Sequence, residues 1–156
     1  MPAKTKKKAV TRKRRPLRPT PKPRVKARST VSPVAPSDVH LMKTKGTKGK
    51  GGGPGGEAWR INAEGKRAGV VFINLIDEEP IGKHASIQIY LNKPSQGRKI
   101  GRIGYERACK ESQYDAIYAH MRKANVASIK AAEAAGFTLA ATTAAHQVIY
   151  VWRRQK

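Results

Sequence analysis

The stretch Ser86–Ala108, SIQIYLNKPSQGRKIGRIGYERA, sets an alternating apolar run directly before a basic, glycine-bearing loop and a helical pattern. A strand that ends in such a loop and opens a helix offers backbone N–H groups and the positive end of the helix dipole to an anion. Gly97 and Gly101 let the backbone approach closely, while Arg98, Lys99 and Arg102 add charge. The chemistry this predicts is pyrophosphate binding. Basic loops before helices are common and most are merely solvated, so the reading depends on a second segment.

That segment is NVASIKAAEAAGF, Asn125 to Phe137, one strand further on. Together the two resemble the paired signatures of the GNAT family of N-acetyltransferases, in which a Q/R-x-x-G-x-G/A loop binds the cofactor pyrophosphate and an N-x-x-[SA]…E-x-x-G-F helix follows. Here the loop reads Gln96-Gly97-Arg98-Lys99-Ile100-Gly101, and the helix supplies Asn125, Ser128, Glu133, Gly136 and Phe137. The resemblance spans about Gly69 to Trp152. It implies acetyl-CoA as cofactor, held by Gln96 to Arg102 with Asn125 and Ser128. It also implies a V-shaped gap between the Ser86–Leu91 and Tyr114–Met121 strands. The pantetheine arm would run along Ile89, Tyr90 and Leu91, where a backbone N–H would polarise the thioester carbonyl.

The family transfers acetyl directly to an amine, so no nucleophilic cysteine is needed and Cys109 is expected to be packed in its helix. Many members use a Tyr of the second helix to protonate the leaving thiolate, and this chain has Ala132 there. Ser128 is the candidate acid instead, its alternative role being a hydroxyl that bonds cofactor or helix backbone. For the base, Tyr118 and His120 share one strand face, with Glu57, Glu78, His84 or a water chain as more distant options. Lys99 stands where the family usually has Gly, which predicts a local backbone that avoids positive φ.

The elements that must position these residues read as a series of short strands and two helices. Strands are predicted at Trp59–Ala63, Gly69–Ile76 and Ser86–Leu91, with Asp77 to Pro80 as a break. A helix follows from Ile100 to about Ser112, then a strand at Tyr114–Met121. A second helix runs from Asn125 to Ala135 with Gly136 as its C-terminal cap, and a hairpin of Phe137–Thr142 and Gln147–Trp152 closes the chain. The order is β-β-β-α-β-α-β-β. The fold class is α/β (α+β), a mixed β-sheet with two packed helices and a GNAT-like fold.

Charge divides the chain. Residues 1–56 hold 17 of the 33 Lys/Arg and one acid, Asp38, which leaves +16 of the net +23 there; eight of the ten prolines precede residue 57, and Trp59 is the first aromatic. A stretch so charged and so poor in apolar surface is expected to be a disordered tail, with GTKGKGGGPGG (46–56) as a flexible linker and the folded domain at 57–156. Lys6, Lys7, Lys8, Arg12, Lys13, Arg14, Arg15 and Arg18 are the candidate nucleic-acid contacts, a DNA, RNA or ribosomal partner being met through phosphates. The bland alternative is a solubilising tail.

Relative to the family, the front of the domain then lacks a first strand and two helices that wall off the acceptor. Three explanations stand open: a cleft for a large acceptor such as a protein terminus, a homodimer that completes the site, or a scaffold without catalysis. The enzyme reading is an N-acetyltransferase for a primary amine, on a protein or a small molecule. Its rival is a non-catalytic nucleic-acid-binding protein. The sequence predicts no metal site, since Cys109 is alone and the four His are dispersed, and no membrane partner. The expected location is cytoplasmic or nucleoid-associated, or nuclear in a eukaryotic cell.

Overall fold

The computed structural model describes residues 32–156. The tail residues named above, Lys6 to Arg18, lie outside the described residues. Seven strands and two helices follow in order: β1 Val39–Thr44, β2 Glu57–Ala63, β3 Lys66–Glu78, β4 Gly82–Leu91, α1 Ile100–Glu111, β5 Ala116–Arg122, α2 Val126–Ala134, β6 Thr138–Thr142 and β7 Gln147–Arg153. They form one mixed sheet in the order β1-β2-β3-β4-β5-β7-β6. Only β4 and β5 run parallel; every other neighbouring pair is antiparallel.

The core lies between the sheet and the helices. Trp59, Val71, Ile87 and Ile117 send their side chains to that side and meet Ile100 and Ala108 of α1. By the two-residue alternation of strands, His84, Ser86, Tyr118 and His120 face the opposite side, which no helix covers among the described residues. Helix α1 sits close to the sheet because residue 104 is glycine. A Cβ there would lie 2.7 Å from Ile89 Cδ1 and 3.1 Å from Ile61 Cδ1.

The C-terminal end of α1 is fixed by Arg154. Its guanidinium donates to the carbonyls of Cys109, Lys110, Ser112 and Tyr114, and to Asp115. Cys109 and Lys110 carry carbonyls that the end of α1 leaves without partners, and Ser112 and Tyr114 belong to the turn that follows. Cys109 is buried, as its place in the helix predicts, and burial pushes its thiol pKa up.

Ordered structure begins earlier than the 56/57 boundary. Strand β1 pairs with β2 over six residues, from Val39↔Ala63 to Thr44↔Ala58, so the first strand is present. Val39 is fully buried and Leu41 half-buried while His40 and Met42 point out, an alternation that the charge of the surrounding stretch averaged away. Residues 45–56 form a connection that contains no helix, yet it is held to the sheet: Gly51 N–H donates to Asn74 Oδ1 and Asn74 Nδ2 donates to Gly49 O, both at 2.8 Å. Strand β4 also begins at Gly82 rather than Ser86, because a tight hairpin pairs it with the end of β3 through Glu78↔Gly82.

Candidate active site

The parallel pair β4 and β5 is joined at only two register positions, Ala85↔Ile117 and Ser86↔Tyr118. Beyond them β4 continues to Leu91 beside β3 while β5 continues to Arg122 beside β7, so a wedge opens between the two strands. Asn92 N–H donates to Ala68 O. Successive residues alternate between hydrogen-bonded and non-bonded positions of an antiparallel ladder, so Asn92, Tyr90 and Gln88 are alike. Gln88 and Tyr90 therefore turn their backbone to β3, and Ile89 and Leu91 turn theirs into the wedge. Gln96 fits this assignment, since its Nε2 donates to the Leu91 carbonyl at 3.1 Å. Tyr90 departs from its neighbours: its ring lies on the helix-free face and is 56% exposed.

At the top of the wedge, α1 begins without a side-chain cap and without an acid in its first turn. The N–H groups of Ile100, Gly101 and Arg102 are the unpaired donors of a helix start. Ile100 contributes only through its backbone, its side chain being fully buried. A Cβ on Gly101 would meet Ala131 and Leu91 at ordinary contact distances of 3.6 and 3.8 Å, so small side chains fit there.

Gly97 has φ +74°, and Lys99 has φ 60° and ψ 18°. The expectation that Lys99 avoids positive φ is therefore corrected: the chain keeps the left-handed turn with a side chain in place, at a cost of about 1–2 kcal/mol. Arg98 is committed elsewhere, its Nη2 on both oxygens of Glu64 (3.0 and 2.9 Å) and its Nε on Ser32 O. Lys99 and Arg102 remain as the exposed cations at the start of α1. A groove of about 580 Å³ between Pro33–Pro36 and the Lys99, Arg102 and Arg107 side of α1 adjoins this helix end.

On the helix side, Asn125 caps α2 by accepting from Ser128 N–H at 3.3 Å. The half-buried Ser128 hydroxyl lies beside the phenol of Tyr105 on α1. Burial pushes the Tyr105 pKa up to about 12, against which the Ser128 hydroxyl acts. Glu133 accepts from Tyr150 OH at 2.8 Å and so ties α2 to β7.

On the opposite face, where the wedge closes, His84 and His120 meet Nε2 to Nε2 at 2.7 Å, and Tyr118 packs edge-on against His84. His84 Nδ1 lies 2.6 Å from Gly82 O, an atom that can only accept. The network thus assigns the proton of neutral His84 to Nδ1, makes its Nε2 the acceptor of a bond from His120 Nε2–H, and leaves the lone pair of His120 on Nδ1. Burial, aided by His84, holds the His120 pKa below its ordinary 6.5, with Glu78 acting the other way.

The sequence-predicted residues thus divide between the two faces: Tyr118 and His120 with His84 on one, Ser128 on the other. Glu57, named as a more distant base, is 6% exposed on the helix side and accepts from Ser112 Oγ, Gln113 N–H and Lys43. It is a structural carboxylate. The direct contact of His84 with His120, and the Tyr105 hydroxyl behind Ser128, escaped the sequence reading because each pair joins residues far apart in the chain. The described residues contain no cluster of three metal-ligating side chains and no helix long and apolar enough to cross a membrane.

A mixed sheet opened at its one parallel pair, with an uncapped helix start above the opening, defines an acyl-CoA N-acyltransferase fold. The acetyltransferase (GNAT) family model matches residues 32–137, and the chain belongs to that family. No curated protein sequence matches the chain.

Among solved structures, RimL, a ribosomal L7/L12 α-N-protein acetyltransferase in complex with coenzyme A, is 24% identical with TM-score 0.52, covering 68% of this chain and 63% of its own. YncA, a putative acetyltransferase from Salmonella typhimurium with its cofactor acetyl-CoA, is 17% identical with TM-score 0.55, covering 64% and 65%. An acetyl transferase from Salmonella typhimurium that modifies the N-terminal serine of the 50S protein L7/L12 is 25% identical with TM-score 0.51, covering 64% of each chain. The chain spans less than two thirds of the length of each of these three.

Proposed function

We propose that the domain at 32–156 transfers the acetyl group of acetyl-CoA to a primary amine on a protein, an N-terminus or a lysine. The observation that carries this reading is the wedge between β4 and β5, with the uncapped start of α1 above it and the His84–His120 pair at its closed end. Bound acetyl-CoA supplies an activated acyl thioester. The chain does the rest. The N–H groups of Ile100, Gly101 and Arg102, with Lys99 and Arg102 as cations, bind the diphosphate, and Gln96 and Gly97 shape the turn that presents them. The Ile89 and Leu91 backbone bonds the amide arm, and the Ile89 N–H meets the negative charge that develops on the acyl oxygen.

His120 Nδ1 takes a proton from the acceptor ammonium on the helix-free face, held for this by His84 and flanked by Tyr118. Ser128, backed by Tyr105, gives a proton to the departing sulfur on the helix face. Acid and base then never compete for one proton, because the sheet separates them. The protein class of acceptor rests on the open helix-free face and on the activity in the names of the RimL-type relatives. The test is mass spectrometry of peptides with free and with blocked N-termini after incubation with acetyl-CoA. Acetylated product is expected, and its absence from every amine offered contradicts the reading.

The basic residues Lys6 to Arg18 carry a second, separable proposal: contact of residues 1–31 with nucleic acid or a ribosomal partner. A salt series of filter binding on the full chain is expected to show a steep log-log slope, and a flat slope contradicts it.

A further inference from the structure

Acetyl transfer leaves part of the helix-free face unused. Register aligns Met42, Arg60, Val70 and Tyr90 in one row across β1 to β4. The exposed Tyr90 ring stacks on Phe72. The 45–56 connection folds over the same face, clamped by Asn74, and brings Lys50 Nζ to 5.9 Å from the centre of the Tyr90 ring. Among the described residues Lys45, Lys48 and Lys50 enter no ion pair. Arg60 Nε, on the same row, is buried with no hydrogen-bond partner. At the other end of this face Glu78 favours positive charge on His120. The face is therefore cationic around Tyr90 and has a carboxylate near the His pair.

We propose that this face selects an acidic N-terminal segment of a partner protein. The inference rests on acetyl transfer to a protein amine. The ammonium lies at the His120 end, and carboxylates in the next few residues meet the exposed Lys50 and Lys48. The reach is sufficient: strands lie about 4.8 Å apart, so β2 is on the order of 15 Å from β5, and an extended peptide covers about 3.3 Å per residue. A carboxylate pairs with these lysines, whereas a lysine-rich segment sets like charges together. Asn74 is the positioning residue, since its side chain ties Gly49 and Gly51, on either side of Lys50, to the sheet.

The experiment measures kcat/KM of the full chain at physiological ionic strength for peptides of equal length, beginning Ser-Glu-Glu-Glu, Ser-Gly-Gly-Gly or Ser-Lys-Lys-Lys. The acidic peptide is expected to exceed the lysine peptide by about tenfold or more, and Lys50→Glu to cut that ratio by about tenfold. Lys66→Glu, at the β2–β3 turn, carries the same charge change and is expected to leave the ratio in place, which separates the loop from the pull of the basic tail. A ratio at or below one, or equal shifts in the two variants, overturns the inference while peptide acetylation stands. If no peptide is turned over although acetyl-CoA still binds by calorimetry, the peptide-amine reading falls and takes this inference with it.

Discussion

His84 and His120 face each other Nε2 to Nε2 across 2.7 Å at the point where β4 and β5 part. Because His84 spends its Nδ1 proton on Gly82 O, His120 is the ring whose Nδ1 lone pair is left for chemistry. Burial and His84 lower its pKa from 6.5, so the base is neutral and ready at neutral pH. The log of kcat/KM is expected to rise with unit slope at acid pH and to level off below pH 6.5. His120→Ala should remove that limb and lower kcat/KM by about 10²–10⁴.

The same shift has a stability consequence with a fixed sign. A histidine whose folded pKa lies below its unfolded one takes up fewer protons when folded, so stability rises with pH across the window between the two values. For His120 the stabilisation is complete above pH 6.5 and is lost as pH falls through the window below it. Thermal melts across this range should show Tm falling toward acid, and His120→Gln should flatten that dependence.

On the other face, Ser128→Ala tests the acid. A drop in kcat of about 10²-fold with unchanged melting temperature identifies proton donation. A loss of stability with little change in kcat assigns the Ser128 hydroxyl to the contact with Tyr105 alone.

The left-handed Lys99 marks a place where function and local strain meet. Lys99→Gly removes the Cβ conflict and should stabilise the domain by up to about 1 kcal/mol in urea unfolding, offset in part by the looser unfolded chain. Lys99→Val should destabilise it, because a β-branched residue resists positive φ.

Two partners of Arg154 separate buried from exposed electrostatics. Asp115 is 77% exposed on its side chain, so Asp115→Ala should cost less than about 1 kcal/mol. Arg154→Met strips hydrogen bonds from four carbonyls in the last turn of α1 and the turn after it and should cost about 2–3 kcal/mol in the same assay.

The strand–loop–helix unit was legible because Ile87, Ile89 and Leu91 alternate and glycines stand at 97 and 101, signals confined to a few neighbouring residues. Strand β1 was hidden by composition: two inward residues, Val39 and Leu41, sit in a basic, glycine-rich stretch whose average says tail. The 45–56 connection looked like a linker because its clamp, Asn74, lies some 25 residues away on β3. His84 fell outside the predicted strand, and only the register Ser86↔Tyr118 brings it to His120. Local periodicity thus gave the scaffold, and long-range pairing gave the site's contacts.

Isothermal titration of acetyl-CoA into wild type and into Gly101→Glu tests the central claim most directly. A Cβ meets only ordinary contacts at this position, a matching melting temperature checks that the variant folds, and a carboxylate at the helix start opposes binding of a diphosphate. The account predicts saturable heat for wild type and at least a tenfold weaker association for the variant, about 1.4 kcal/mol. Absence of binding in wild type, or equal affinity in both, contradicts it.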